Sequence, residues 1–189
     1  MALPHITNSK AGMNLWDPVH NSIFEVYFTI PEAIKDFAGD VELITEHVTK
    51  VSGLDALYRA PETGVQKFMG TDRTFINPTI GETAAKIKID FTLNLRNAKD
   101  NYILKLFRAW AALGYDIATG KRTIKNNYCA EWMRIAVANR DGDIFQEITF
   151  KDVMIGGPLE FSGELDYENN EALGLSVSFV SDWWTEKVA

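Results

Sequence analysis

The sequence predicts a mainly β fold, an antiparallel β-sandwich or barrel with one flanking α-helix at about residues 97–113. The first observation is that apolar residues alternate with polar ones along several runs, which is the period of a strand with one buried face. The second is that one long segment has apolar residues at helical spacing instead. Both patterns fit a single domain spanning 1–189, a length that can bury a core without metals or disulfides.

The predicted strands share a period of two. In the early run SIFEVYFTI, Phe24, Val26 and Phe28 lie on one face, and Pro31 ends the strand because proline has no amide hydrogen for the ladder. The run KIKIDFTLNLR at residues 86–96 shows the cleanest alternation. Two later runs, AEWMRIAVAN and DIFQEITFKDV, are separated by a turn whose Asp141-Gly142 pair tolerates the positive φ of a tight hairpin. We expect these strands to pair antiparallel.

The predicted helix carries one apolar stripe. Asn97 can cap its start, Asp100 falls in the first turn, and Gly114 can end it in the left-handed conformation. A ligand pocket would be the functional interpretation of the stripe, whereas packing against a sheet is the structural one, and we favour packing. The residues expected to pack are Ile103, Leu106, Phe107 and Trp110.

Three regions lack a regular period: an N-terminal arm at 1–21, the stretch 31–46, and a long segment at 57–82. A loop as long as 57–82 is uncommon in a compact domain unless it has a function such as binding a partner. Phe68, Met69 and Phe75 lie there among charges and glycines. This mixture favours a mobile contact hairpin, and a disordered insertion is the alternative.

The sequence offers little for catalysis or metal binding. His5, His20 and His47 are far apart and have no ligand spacing, and Cys129 stands alone at a predicted strand entrance. Nucleophile and phosphate-binding motifs are absent from the sequence. We therefore predict a protein that is not an enzyme and uses no cofactor or metal.

Charge and hydropathy limit the partners. The chain has 19 Lys and Arg against 26 Asp and Glu, a net charge of −7, which argues against gripping nucleic acid. A single cysteine suits a reducing cytoplasm, and no apolar run is long enough to span a membrane. These features predict no membrane association and no secretory leader.

The C-terminal segment DIFQEITFKDVMIGGPLEFSGELDYENNEALGLSVSFVSDWWTE resembles the C-terminal portion of tail tube proteins of contractile-tailed bacteriophages. The shared features are a strand at 150–153, the turn Gly156-Gly157-Pro158, the run Leu165-Asp166-Tyr167, a polar turn at 168–171, an alternating strand at 173–179, and Asp182-Trp183-Trp184. Upstream, a strand at 21–28 and a helix with Phe107 and Trp110 occur in the same order, so that the resemblance covers about 14–186.

The resemblance implies a structural virion protein, a subunit of the phage tail tube. Such subunits form stacked hexameric rings in which each copy gives four strands to an inner β-barrel, with the helix outside. The implied partners are further copies, the tail sheath protein, the baseplate and tail terminator proteins, and DNA that passes through the lumen without specific binding during ejection. The implied location is the virion tail, assembled in the host cytoplasm.

Other roles remain open within the same fold. Tube proteins of type VI secretion and contractile injection systems share it, as do baseplate and terminal tube caps. A monomeric β-barrel that binds a small ligand is the alternative from a different class. It predicts an enclosed apolar cavity.

Within the implied tube, two sets of residues are expected to have roles. The polar faces of two strands are expected to line the lumen, at Lys88, Asp90, Thr92, Asn94, Ser176 and Ser178. Contacts between subunits or rings are expected at Trp16, Phe68, Met69, Asp72, Arg73, Phe75 and Trp184. Continued alternation from Leu173 sends Trp183 into the core and Trp184 to the opposite side.

Overall fold

The computed structural model describes residues 23–58, 63–76, 84–95, 99–115, 119–120, 122–162 and 172–188. The side chains of 37–43, Tyr58, Phe68, Ile76 and Ser162 are outside that description. The strands are β1 (Phe24–Phe28), β2 (Val48–Ser52), β3 (Thr63–Phe68), β4 (Thr71–Ile76), β5 (Ala85–Thr92), β6 (Ala130–Ala138), β7 (Ile144–Ile155), β8 (Glu160–Ser162), β9 (Gly174–Ser181) and β10 (Trp183–Val188). The helices are α1 (Val41–Glu46), α2 (Tyr102–Gly114) and α3 (Lys125–Tyr128), with 3-10 segments at Glu32–Asp40 and Leu54–Tyr58.

The main sheet runs in the order β1-β6-β7-β9-β5-β2, with every neighbouring pair antiparallel. β10 pairs with β7 and β8 pairs with β9, whereas β3 and β4 form a separate hairpin. We call β1-β6-β7-β10 the β6 sheet and β2-β5-β9-β8 the β5 sheet. The end of β7 joins them, since Met154 and Ile155 pair with Val180 and Phe179. The predicted mainly β architecture with a flanking helix is therefore confirmed.

Aromatic rings in the core connect both sheets to α2. The centroid of the Phe91 ring on β5 lies 4.8 Å from that of Phe107 on α2. Phe179 on β9 lies 5.6 Å from Phe28 on β1 and 5.7 Å from Trp110 on α2. The predicted helix-packing residues Ile103, Leu106, Phe107 and Trp110 are all buried. Tilted ring pairs at these separations contribute about 0.5–1.5 kcal/mol each beyond their buried area.

The boundaries of α2 differ from the prediction. The helix begins at Tyr102, and Asn101 caps it, with its Oδ1 accepting a hydrogen bond from the Leu104 amide at 3.2 Å. Asn97 lies outside the described residues, and Asp100 precedes the helix and pairs with Lys105. Gly114 is the last helical residue, and its φ is not positive. The predicted left-handed end was therefore wrong.

The sequence suggested that the stretch 31–46 is irregular, but in the structure it is helical. It forms the 3-10 segment Glu32–Asp40 followed by α1. Ile34 and Ile44 are buried in the core from these short elements. The 3-10 segment is interrupted by a kink at Ile34, and α1 has only six residues, so neither gives a continuous helical period in the sequence.

The alternation of inward and outward side chains shifts by one residue at Asp152 in β7 and at Asp182 between β9 and β10. Asp152 has φ 53, a left-handed conformation that side-chain-bearing residues seldom adopt, and the chain bends at Asp182. Before Asp152, Phe150 faces the core, and after it Val153 does, which breaks strict alternation. The Asp182 amide donates to the Lys151 carbonyl at 3.3 Å, so the two irregularities face each other.

The cap of α2 can be tested by replacing Asn101. Asn101→Ala should lower the free energy of unfolding by about 1 kcal/mol, because the Leu104 amide loses its acceptor. Urea denaturation followed by circular dichroism measures this. Asn101→Ser is the matched control, since serine also caps, and equal losses in the two variants would contradict the cap.

Candidate assembly surfaces

One face of the β5 sheet is polar. Along β5, Ile87, Ile89 and Phe91 are buried, while Lys88, Asp90 and Thr92 are half-buried on the opposite face. β9 pairs in register with β5, and Asp90 lies opposite Ser176 and Lys88 opposite Ser178. Residues opposite each other in an antiparallel pair share a face. The structure thus brings these predicted lumen residues onto one surface.

Side chains on this polar face bind one another across strands. The Ser176 hydroxyl donates to Asp90 Oδ1 at 2.5 Å, and Ser176 is only 7% exposed. Lys88 Nζ lies 2.6 Å from Glu160 Oε2 on β8, and this hydrogen bond raises the pKa of Lys88 above its usual value. Asn94 follows β5, is exposed, and contacts His47 through its amide nitrogen at 3.0 Å.

The described residues of the polar face do not account for the negative net charge of the chain. Lys50 pairs with Asp90 in register, and Lys86 precedes Lys88 on the same face, both exposed. Together with Lys88 they outnumber the carboxylates Asp90 and Glu160. The net charge of −7 therefore resides elsewhere.

The predicted contact segment contains the hairpin β3–β4. It turns at Met69 and Gly70, which have φ 49 and 76, and three of its apolar side chains are exposed: Met69 by 91%, Val65 by 61% and Phe75 by 48%. Asp72 and Arg73 are exposed as well. Phe68 pairs with Thr71 at the turn, but its side chain, like the whole of Trp16, lies outside the described residues.

A shallow cavity of ≈ 150 Å³ lies on this hairpin and is lined by Gln66, Lys67, Arg73 and Phe75. It faces solvent from a two-stranded element and is not enclosed within the sandwich. The aromatic cluster around Phe107 lies between the sheets. The small-ligand alternative predicted an enclosed apolar cavity, and this cavity does not match it.

A second surface, which the sequence did not reveal, lies on the outward face of the β6 sheet. Trp132 on β6 and Trp183 on β10 both pair in register with Lys151 on β7, so that the lysine lies between two tryptophans. We call this the Trp–Lys–Trp surface. In the next row the Arg134 guanidinium lies 4.5 Å from the Tyr27 ring centroid and 5.9 Å from that of Trp132. The alternation of AEWMRIAVA could have placed Trp132 and Arg134 on one face.

The carboxylates on this face already have partners. Glu147 lies 3.7 Å from Arg134, and the Tyr27 hydroxyl donates to Glu25. The hydrogen bond to Glu25 raises the pKa of Tyr27. Lys151 thus carries a charge that these carboxylates do not offset.

The two C-terminal tryptophans lie opposite to their predicted sides. Trp183 is 47% exposed, whereas Trp184 is half-buried, lies across from Phe150 and packs against the core. The prediction that Trp183 completes the core was wrong. The reason is the bend at Asp182, which shifts the alternation of β10 by one residue relative to β9.

Two strands end the main sheet. β1 pairs only with β6 and β2 pairs only with β5 among the described residues, so each presents one unpaired edge. Open edges are places where another chain can add a strand.

Within the described parts of the chain, no group of three or more His, Cys, Asp or Glu side chains is placed to hold a metal ion. No helix in those parts is long and apolar enough to cross a membrane.

Solved structures reveal the fold. A chain from the sheath–tube complex of the extracellular contractile injection system PVC, in its extended state, matches with a TM-score of 0.58 and 13% identity, covering 96% of this chain and 99% of that one. The PVC sheath/tube terminator matches with a TM-score of 0.57 and 14% identity, over 92% and 99%. The anti-feeding prophage tube-terminating cap gives 0.56 and 13%, over 93% and 94%. The chain thus shares the fold of these chains from contractile injection systems.

The tube fold covers almost the whole chain, which confirms the fold that the C-terminal resemblance implied. No family model matches the chain, and no curated protein matches it in sequence. At identities of 13–14%, the structural matches establish the fold only.

The tryptophan pair yields a test of folding. Trp184→Ala should lower the free energy of unfolding by about 2 kcal/mol, because the ring packs against the core. Trp183→Ala, the matched control, should change it by no more than about 0.5 kcal/mol. Urea denaturation followed by circular dichroism compares them, and a larger loss in Trp183→Ala would show that the assignment of the two sides is incorrect.

Proposed function

We propose that the protein is a structural, non-enzymatic tube subunit of a contractile, phage-tail-like apparatus. The observation that carries the proposal is the end-to-end match to chains of sheath–tube and tube-terminator assemblies, with TM-scores of 0.56–0.58. The core is filled by the aromatic rings, and the conspicuous surfaces are a polar sheet face, open edges and an apolar hairpin. These are features suited to association with other copies.

In this proposal the polar face of the β5 sheet lines the channel. Its four strands, β2, β5, β9 and β8, equal the number that the tube resemblance implies for each copy. Lys88, Asp90, Thr92, Ser176 and Ser178 then face the lumen, and Asn94 lies near its rim. Asp90 and Lys88 are held by Ser176 and Glu160, whereas Lys50 and Lys86 are exposed on the same face.

The finer proposal follows the resemblance to contractile phage tubes. Hexameric rings stack into a tail tube in the virion, with sheath, baseplate and tail terminator proteins as partners, and DNA passes through the lumen during ejection. The polar face in its described part carries Lys50, Lys86 and Lys88 against Asp90 and Glu160, so the overall charge of −7 does not by itself describe the channel wall.

A tube-capping role is the second candidate. It is favoured by the matches to a tube-terminating cap and a terminator, whose TM-scores of 0.56 and 0.57 equal that of the sheath–tube chain within 0.02. If the protein is instead a tube protein of an injection or type VI secretion system, we expect the same stacked rings, with a protein as the cargo.

Electron microscopy of the purified protein distinguishes these roles. A tube subunit should form rings that stack into tubes as the concentration rises, whereas a cap should form single rings. A protein that stays monomeric at all concentrations, also when preformed tubes of a related system are added as nuclei, would contradict both. Light scattering after size-exclusion chromatography gives the mass of each species.

The lumen assignment predicts protection of Thr92. In a Cys129→Ser background, Thr92→Cys should react with maleimide-linked polyethylene glycol in dispersed subunits but not in tubes, because the polymer cannot enter the channel. Ala112→Cys, exposed on α2, is the matched control and should react in both states. Equal labelling of Thr92→Cys in tubes and subunits would place the polar face outside the lumen.

A further inference from the structure

The β3–β4 hairpin exposes apolar surface beside a carboxylate. Val65, Lys67 and Asp72 share one face of the hairpin, because Lys67 pairs with Asp72 and Val65 lies two residues before Lys67. Met69 projects from the tip and is 91% exposed. The structure pairs neither hairpin strand with another strand of the main sheet. Exposed apolar side chains that cluster on one element mark a candidate interaction site.

The Trp–Lys–Trp surface has the complementary chemistry. Trp132 and Trp183 offer aromatic area, and Lys151 offers a positive charge between them. Glu147 and Glu25, the carboxylates of the same face, are engaged by Arg134 and Tyr27. A docking segment would therefore need one carboxylate and adjacent apolar side chains.

We propose that the β3–β4 hairpin of one copy docks on the Trp–Lys–Trp surface of a second copy, with the Asp72 carboxylate against the Lys151 ammonium and Met69 on the tryptophan rings. This inference rests on the proposed self-assembly and names the surface that receives the hairpin. Thioether–aromatic contacts are favourable at such an interface, and a complementary ion pair fixes its register and partner. Tryptophan is also enriched among residues that dominate binding energy.

The contact joins two different patches, so each copy both gives a hairpin and receives one. Such a heterologous contact does not stop at a dimer and propagates into a ring or a stack. The hairpin can bridge copies because a strand of six residues spans about 20 Å. Nucleic acid is a poorer occupant of this surface, because Glu25 and Glu147 flank it in a chain of net charge −7.

Charge exchange tests the contact. Lys151→Glu and Asp72→Lys should each raise the protein concentration needed for assembly by about tenfold or more, because like charges would meet. The double variant should recover assembly to within about threefold of the unmodified protein. Lys99→Glu, the same charge change in the exposed turn before α2, should leave assembly unchanged. Sedimentation velocity measures assembly, and thermal circular dichroism checks that every variant is folded.

Several outcomes would overturn the docking contact. The contact is overturned if a folded single variant assembles at the same concentration as the unmodified protein. Loss of assembly in Lys151→Glu without recovery in the double variant would also overturn it, since it would assign the surface to another occupant, such as a different protein. In either case a tube formed by the unmodified protein would leave the proposed function standing.

Cross-linking tests the contact even if no tubes form. In a Cys129→Ser background, copies with Asp72→Cys are mixed with copies carrying Lys151→Cys and treated with a short bismaleimide. A heterodimer linked through these positions is expected, and a mixture with Lys99→Cys, in the exposed turn before α2, should give none. Equal yields from the two mixtures would contradict the docking.

Discussion

The contact between Phe91 on β5 and Phe107 on α2, with ring centroids 4.8 Å apart, is the interaction on which the remaining structure depends. Phe179 and Trp110 extend it, and Phe28 brings in the β6 sheet through Phe179. Because these rings occupy one face of β5 and β9, the opposite face of those strands is left to polar residues. The polar surface proposed to line the channel is therefore a consequence of how the core is filled.

The shared irregularity at Asp152 and Asp182 has a comparable effect on the other sheet. Since β7 belongs to both sheets, its alternation must change where it passes from one to the other. The left-handed backbone at Asp152 makes that change, and the bend at Asp182 makes it in the partner strand. As a result Trp184 packs inward and Trp183 lies beside Lys151 on the outside. A local backbone feature thus creates the aromatic surface proposed to receive the hairpin.

The surfaces also explain why a subunit of this kind would associate. The interior of the sandwich is filled, while Met69, Val65, Phe75 and Trp183 expose apolar area on two separate elements. The edges of β1 and β2 lack strand partners in the described chain. Covering both kinds of surface with further copies is physically simpler than maintaining them in water. A repeating, heterologous assembly meets both needs at once.

The sequence by itself determined the β architecture, the long helix and the polar face of β5 and β9, because these depend on periods of two and 3.6 that persist over many residues. It also predicted a hairpin within 57–82, through apolar residues among glycines and charges, and the structure has β3–β4 there. Short helices at 32–46 and the cap at Asn101 escaped prediction because they are set by only a few residues. Only the tertiary structure decided which tryptophan faces the core and that Trp132, Lys151 and Trp183 meet. Alternation counts residues along one strand, whereas a bend at one residue and the pairing of three distant strands arise from the packing of the whole sheet.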